Sequence, residues 1–288
     1  MAPSRFFETP APGVEFAYGG ELLHAEDSAF QHIDVYEHPT FGRTLVLDGA
    51  VQTSERDEFL YHELLVHVPL IAHPSPERVL VIGGGDGGTL RRVLEHPSVT
   101  DAVMVEIDDR VTAVSRQYMP SIGGEVWDDP RTTVLFEDGN AYIHADGEPF
   151  DAIVVDSSDP VGPGIVLFET PFYARCLERL KPGGVFVAQV GSPIYFQDEM
   201  RMAYRNARAA FPDVRLYLGH VTTYPGVVWS FMLAGERLEI DPDTAAARGA
   251  ERKLDVRAWT PELHAGAFAL PGFVLDGLQG ESRNPFLP

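Results

Sequence analysis

Val79 to His96 reads VLVIGGGDGGTLRRVLEH, and this stretch decides the fold. The apolar run Val79–Ile82 leads directly into a glycine loop, Gly83–Gly88, and then into TLRRVLEH, a segment of good helix formers. Glycines at a strand-to-helix turn let the backbone approach a ligand closely, and the helix start offers free N–H groups. A glycine-rich loop alone is a weak signal. Here Glu106 follows about 20 residues later, at the end of the next apolar run, a spacing that suits a carboxylate bonding both hydroxyls of a ribose. The plain alternative is a tight structural turn followed by an edge acid.

Outward from this unit the pattern repeats. The runs VLVI, AVMVEI, TTVLF, AIVVD and VFVAQ alternate with stretches that read as helices, which predicts a parallel sheet covered on both faces. VRLYL and VVWSFMLA lie close together near the end and predict an antiparallel pair at one edge. Upstream, residues 1–55 read as a small antiparallel β unit. Ile33 and Val35 alternate with His32, Asp34 and Tyr36, and TLVLDGAVQT places an Asp48-Gly49 turn between two apolar runs. Between these regions SERDEFLYHELLVHVPLIAHP predicts a helix with Ser54 as N-cap and Asp57 three residues on, ended by Pro69 and Pro74. The polar stretch from Asp241 to Ala258 fits no element clearly.

Composition narrows the function classes. The 288 residues are 44% hydrophobic and 10% aromatic, as in ordinary globular chains. A net charge of -21 and a pI of about 4.7 argue against a nucleic-acid partner, which needs clustered Lys and Arg. The same field attracts cations, although a salt-adapted source gives a similar surplus. No apolar run approaches the ~18 to 20 residues of a bilayer span, and MAPSRFFETP lacks the pattern of a secretory signal. The single cysteine, Cys176, has no partner at metal spacing and reads as a packed thiol. A cytoplasmic protein without membrane contact is the expectation.

In open α/β sheets the ligand lies beyond the carboxyl ends of the strands. Those ends carry Asp86, Glu106, Asp138, Asp156 and Asp159 in order. Any one could be a helix cap or loop charge. Together they would line one crevice and repel one another unless a cation sits between them. No pair has the histidine company of a zinc site, and a magnesium site needs phosphate or water partners. An organic cation is the better counter-charge.

YHELLVHVPLIAHP, VLVIGGGDGGTLRRVLEHPSV, MVEID, DDPR, EDGNAYI, FDAIVVDSSDPVGP, LFETPFY, LKPGGVFVAQ and TYPG resemble, in order and spacing, the motifs of spermidine synthases and other polyamine aminopropyltransferases. TLVLDGAVQTSERDEF and HAGAFALP extend the likeness over nearly the whole chain and look like the bacterial branch. The resemblance implies a Rossmann-like, methyltransferase-type α/β fold with a mostly parallel seven-stranded sheet, the β unit of 1–55 preceding a catalytic domain of 56–288. It implies a co-substrate, decarboxylated S-adenosylmethionine, and no tightly bound cofactor or metal.

The same likeness assigns roles. Glu106 would hold the ribose and Asp138 the adenine end, with Gly83, Gly85 and Gly139 in the nucleoside cradle and Gln31 and Gln52 beside the donor. Asp86 would meet the aminopropyl ammonium, where intact S-adenosylmethionine would present a carboxylate. The acceptor amine must lose a proton to attack carbon. Asp156 resembles the catalytic aspartate that takes it, with help from the Tyr61 hydroxyl; His62, Tyr224 and Asp159 would line the acceptor channel. A sulfonium is already an activated leaving group, so in-line displacement needs only alignment and charge placement.

Plain alternatives stand beside these. Tyr61 and Tyr224 could be core aromatics, and Asp159-Pro160 is a good turn starter. His62 stands where many relatives carry glutamine, and Val190-Gly191-Ser192 departs from relatives that place an acid there for the distal amine. Putrescine is the first choice of acceptor; cadaverine, agmatine or a longer polyamine fits the sequence as well. Two other functions compete: a small-molecule methyltransferase using S-adenosylmethionine, and a non-catalytic nucleoside- or polyamine-binding member. The β unit is the expected contact of a homodimer or homotetramer.

Overall fold

A computed structural model describes residues 4–158 and 162–280. The N-terminal unit is a five-stranded antiparallel meander of β1 (Ser4–Ala11), β2 (Val14–Asp27), β3 (His32–His38), β4 (Gly42–Leu47) and β5 (Ala50–Ser54). Asp48 and Gly49 both have positive φ between β4 and β5, the paired left-handed geometry of a tight hairpin. Ile33, Val35 and Leu45 on one face pack on Val111, Val114 and Met119 from the helix at residues 109–118 and the residue after it. Tyr36 lies on the face opposite Ile33 and Val35, as the alternation predicts, and is buried there with Val46 and Val51, against Phe6 and Tyr18.

The helix α1 (Glu58–Ala72) follows. It differs from expectation at both ends. Ser54 does not cap it: the Ser54 hydroxyl donates to Asp57 at 2.6 Å, and Asp57 in turn accepts from the Thr223 backbone N–H and hydroxyl. Asp57 itself is the residue before the helix and makes no side-chain cap bond. Pro69 lies inside the helix rather than at its end. Proline removes a donor and crowds the preceding turn, but distant groups serve the carbonyls around it: Tyr217 donates to Leu64 O, and Arg252 to Leu70 O.

The remaining chain builds a seven-stranded sheet from β6 (Arg78–Gly83), β7 (Asp101–Glu106), β8 (Thr132–Phe136), β9 (Phe150–Asp156), β10 (Leu180–Gln189), β11 (Asp213–His220) and β12 (Val228–Gly235). The order is β11-β12-β10-β9-β6-β7-β8, with only the β12 pairings antiparallel. The central strands read as unbroken apolar runs because both faces are covered. Val79, Leu80, Val81, Ile153, Val154, Val155, Phe186 and Val187 are all fully buried, and each contributes about 1.5–3 kcal/mol of apolar burial. The polar stretch that resisted assignment contains α8 (Pro242–Arg252), capped by Asp241 accepting from Thr244 N.

The helices α2 (Gly88–Leu94), α3 (Asp109–Tyr118) and α5 (Gly139–His144) start at the carboxyl ends of β6, β7 and β8 respectively, with the short α4 (Pro120–Gly123) after α3. The chain winds outward from β6 to β8, then returns to β9 on the other side of β6. The order reverses between β6 and β9, where a doubly wound sheet opens a crevice. Gly83 and Asp156 are register partners at that point.

Candidate active site

A cavity of about 620 Å³ opens at the β6/β9 reversal, within the 300–1,000 Å³ range of small-molecule sites. Its wall contains Gln31, Gln52, Tyr61, His62, Gly83, Gly85, Asp86, Glu106, Asp138, Gly139, Asp156 and Tyr224. The fold thus brings together every sequence-predicted site residue except Asp159, which lies outside the described residues.

The glycine loop sets the spacing. Gly83 has φ +82, and a Cβ there would stand 2.2 Å from Asp156 O; the neighbouring Gly84 N donates to that carbonyl at 2.9 Å. Only glycine lets β6 and β9 close to this distance while turning the chain. At the start of α2, a Cβ on Gly88 would meet the His62 ring at 2.2 Å, so α1 and α2 also touch through a residue without a side chain.

Asp156 sits at the end of β9. Its Oδ1 accepts from the Tyr61 hydroxyl at 2.6 Å and its Oδ2 from Thr89 at 2.7 Å. Burial pushes the Asp156 carboxyl above its ordinary range. The charge of His62 opposes that rise, Asp86 adds to it, and the two hydroxyl bonds restrain it. Burial followed by Asp156 drives the Tyr61 phenol far up, so Tyr61 keeps its proton and donates. Tyr224 donates to Gln52 O at 2.5 Å and packs edge-on against Tyr61 and Trp229. Both rings belong to the buried core and both hydroxyls are satisfied, and both side chains also border the cavity.

Asp86 points inward. Its Oδ1 accepts from Gly88 N at 2.7 Å, and its Oδ2 stands 3.6 Å from His62 Nε2. His62 is buried, and its Nδ1 is 2.8 Å from Glu58. Burial alone would lower the imidazole, but Asp86 and Glu58 together raise it to about 10. An imidazole therefore stands between Glu58 and Asp86 at the wall, beside any organic cation the cavity takes up.

Also on the cavity wall, Glu106 closes β7 and accepts from Asp108 N at 2.9 Å. Burial carries its carboxyl up to about 7, with backbone N–H groups of Asp108 and Gly85 restraining the rise. Asp138 is the N-cap of α5, accepting from Asn140 N and Ala141 N, while Gly139 packs on Ile82. Gln31 donates to Asp108 at 2.9 Å, and Gln52 Nε2 to Ala50 O at 3.2 Å.

Sequence reading passed over groups at the cavity wall, Glu8 and Gln189, and behind it, Thr89 and Glu58. Thr89 looks like an ordinary second helical residue until its partner, Asp156, arrives 67 positions later. Gln189 Nε2 donates to Ser157 O and Ser158 O, while its Oε1 accepts from Trp229 Nε1 and Gly191 N; it fastens the loop after β9. Glu8 reaches the wall from β1 and accepts from Val51 N. Glu58 was visible only as a first-turn helix acid. No group of three or more His, Cys, Asp or Glu arranged to hold a metal occurs among the described residues.

The comparisons with known proteins agree with this geometry. The spermine/spermidine synthase domain matches residues 58–244, and the spermidine synthase tetramerisation domain residues 6–55. The polyamine aminopropyltransferase of Desulforudis audaxviator is 46% identical over 256 residues, covering 89% of this chain and 92% of its own. That of Bacillus subtilis is 42% identical over 256 residues, covering 89% and 91%. A spermidine synthase crystallised with the transition-state analogue AdoDATO superposes with a TM-score of 0.92 at 38% identity, over 96% of this chain and 95% of that one. The spermidine synthase of Thermotoga maritima gives 0.89 at 36% identity, over 96% and 94%. With a domain model spanning most of its length and relatives above 40% identity over nearly all of it, the chain belongs to the spermidine synthase family of polyamine aminopropyltransferases.

Proposed function

We propose that the chain transfers the aminopropyl group of decarboxylated S-adenosylmethionine to putrescine, giving spermidine and methylthioadenosine. The observation that carries the donor is Asp86, a carboxylate aimed into the cavity beside Asp156. The ammonium of the decarboxylated donor finds a counter-charge there, whereas the carboxylate of intact S-adenosylmethionine meets a like charge. The same feature disfavours a methyltransferase, and the Tyr61–Asp156 hydrogen bond at the cavity wall disfavours a purely binding role.

In this reading Glu106 accepts from the ribose hydroxyls, and Asp138 and Gly139 border the base, with Gln31 and Gln52 lining the donor's approach. The acceptor nitrogen attacks the methylene carbon next to the sulfonium. A new C–N bond forms as the C–S bond breaks, its electron pair leaving with sulfur as a neutral thioether. The proton on nitrogen passes to Asp156, and Tyr61 steadies the carboxylate. Tyr224 and His62 border the acceptor path. The chain is divided functionally into the β unit of 1–55 and a catalytic domain of 56–288. The β unit mediates assembly into a homodimer or homotetramer, which its match to a tetramerisation domain supports. No described helix is long and apolar enough to cross a membrane, and the cytoplasm is the proposed working place.

The test is to incubate purified protein with each sulfonium donor and a panel of putrescine, cadaverine, agmatine and spermidine, and to identify products by mass. Methylthioadenosine with a propylamine-extended putrescine is expected. Adenosylhomocysteine would replace this function by methyl transfer, and no turnover by binding alone.

A further inference from the structure

The charges around His62 form a buried arrangement that reaches beyond the cavity wall. Glu58 is buried in the first turn of α1. One of its oxygens is 2.8 Å from His62 Nδ1 and the other accepts from Arg92 of α2 at 2.9 Å. Arg92 is buried too, and its second terminal nitrogen donates to Glu95 at 2.9 Å. Glu63, 3.9 Å from Arg92, is satisfied separately by the backbone N–H groups of Arg257, Ala258 and Trp259.

The geometry favours protonation at His62. A neutral imidazole has one donor and one acceptor nitrogen. Here Nδ1 is in hydrogen-bond reach of Glu58 at 2.8 Å, and Nε2 faces the Asp86 carboxylate at 3.6 Å, an ion-pair distance rather than a hydrogen bond. A proton on each nitrogen suits both neighbours, while a lone pair on Nε2 would face a like charge. A neutral ring that keeps its Nε2 proton needs Glu58 itself protonated, and the always-charged guanidinium of Arg92 opposes that. Burial would raise the Glu58 carboxyl, but His62 and then Arg92 hold it below its ordinary range. The groups facing His62 are Glu58 and Tyr61 from its own helix, Asp86 from the glycine loop, Gly88 from α2, and Asp156 from β9; Arg92 and Arg91 act one step out, through Glu58.

We propose that Glu58 and Arg92 are positioning residues that hold His62 as a fixed cation beside Asp86 and Asp156, keeping Asp156 ionised before either substrate arrives. Without this cation two carboxylates would share a desolvated wall, and one would take up a proton. Asp156 must be ionised to accept the proton released in aminopropyl transfer, so the inference deepens the proposed function and rests on it for its catalytic meaning. His62 itself borders the cavity; Glu58 and Arg92 act through it.

The test reads protonation directly and activity separately. Protein labelled with ¹⁵N-histidine is titrated by NMR, with the His62 signals assigned by their loss in H62Q. In the wild type both His62 nitrogens are expected to stay protonated through pH 9. The midpoint should fall by at least about one pH unit in E58Q, remain near wild type in E58D, fall less in R92Q and recover in R92K. In parallel, the acidic limb of kcat/KM for the diamine should move up by about one unit in E58Q, because Asp156 loses its neighbouring cation. A neutral wild-type His62 at pH 7.5, or an E58Q midpoint equal to the wild type's, overturns the proposal. An unmoved acidic limb in folded E58Q overturns its link to Asp156. The wild-type titration stands even where E58Q does not fold. Absence of aminopropyl transfer in the wild type would instead remove the proposed function while leaving the titration to judge His62.

Discussion

One strand carries two aspartates with opposite fates. Asp151, at the start of β9, gives one oxygen to the backbone N–H groups of Glu77 and Arg78 and to Lys181, at 3.0, 2.8 and 2.8 Å. Burial alone would push its carboxyl up, but Lys181 and the two N–H groups outweigh it and hold it low. Asp156, five residues on, is half-buried at the cavity wall against two hydroxyls, and its carboxyl is pushed up by desolvation, with His62 opposing the rise and Asp86 adding to it. Strong donors turn a carboxylate into a fastening. Hydroxyl donors at a cavity wall leave it raised, which supports the proposed base role. The amino-terminal end of the sheet is built for stability and the carboxyl end for chemistry.

Exchanging charge for shape at the two ends should break the comparison in opposite directions. The largest effect is expected for Asp156→Asn: turnover falls about 10³-fold, within the range for loss of a general base, while calorimetry finds donor affinity within about threefold. Comparable turnover in that variant would take the base role from Asp156. Next is Asp86→Asn. Losing a charge-assisted partner for the donor ammonium should cost about 2–3 kcal/mol, or roughly 50-fold in donor KM, and should narrow discrimination against intact S-adenosylmethionine in a competition assay.

Glu106 sharpens the comparison through pH. Its carboxyl is raised to about 7 in the folded protein, so the folded state holds the proton more tightly than the unfolded one. The stability this contributes is full below pH 4.5 and is lost as pH rises through about 7. Glu106→Gln should remove that slope and leave the unliganded protein about 3 kcal/mol more stable than wild type at pH 8, as measured by urea unfolding. Donor affinity of the wild type should rise through the same interval, because the ionised carboxylate accepts from the ribose. The smallest effect is expected at the other end of β9. Asp151→Asn should keep turnover within about twofold while losing about 1–3 kcal/mol of stability at pH 7. Because Asp151 is held low, the wild type's advantage should disappear as pH falls below about 4.

Much of this contrast was legible in the sequence, and the unread part has a common cause. Apolar runs closing on Glu106 and Asp156 were readable because a strand buried on both faces has little freedom in composition. The glycine loop was readable because few residues could occupy its backbone. Pro69 looked like a helix end because the groups that serve its surroundings, Tyr217 and Arg252, lie about 150 to 180 positions away. Ser54 looked like a cap because Thr223, the distant partner of Asp57, has no local signature. His62 could be seen as a site residue but not as a cation, since its charge depends on Glu58, Asp86 and Arg92 converging from three elements. Periodicity records what a residue does to its own segment; these assignments depend on what another segment does to it.

The rim of the cavity is greasy. Phe30, Ile107 and Val166 line it, yet are 54%, 44% and 37% exposed. An occupant that shelters these side chains from water should leave a calorimetric signature: a heat-capacity drop on donor binding, and an affinity that changes with temperature more steeply than its polar contacts alone would require.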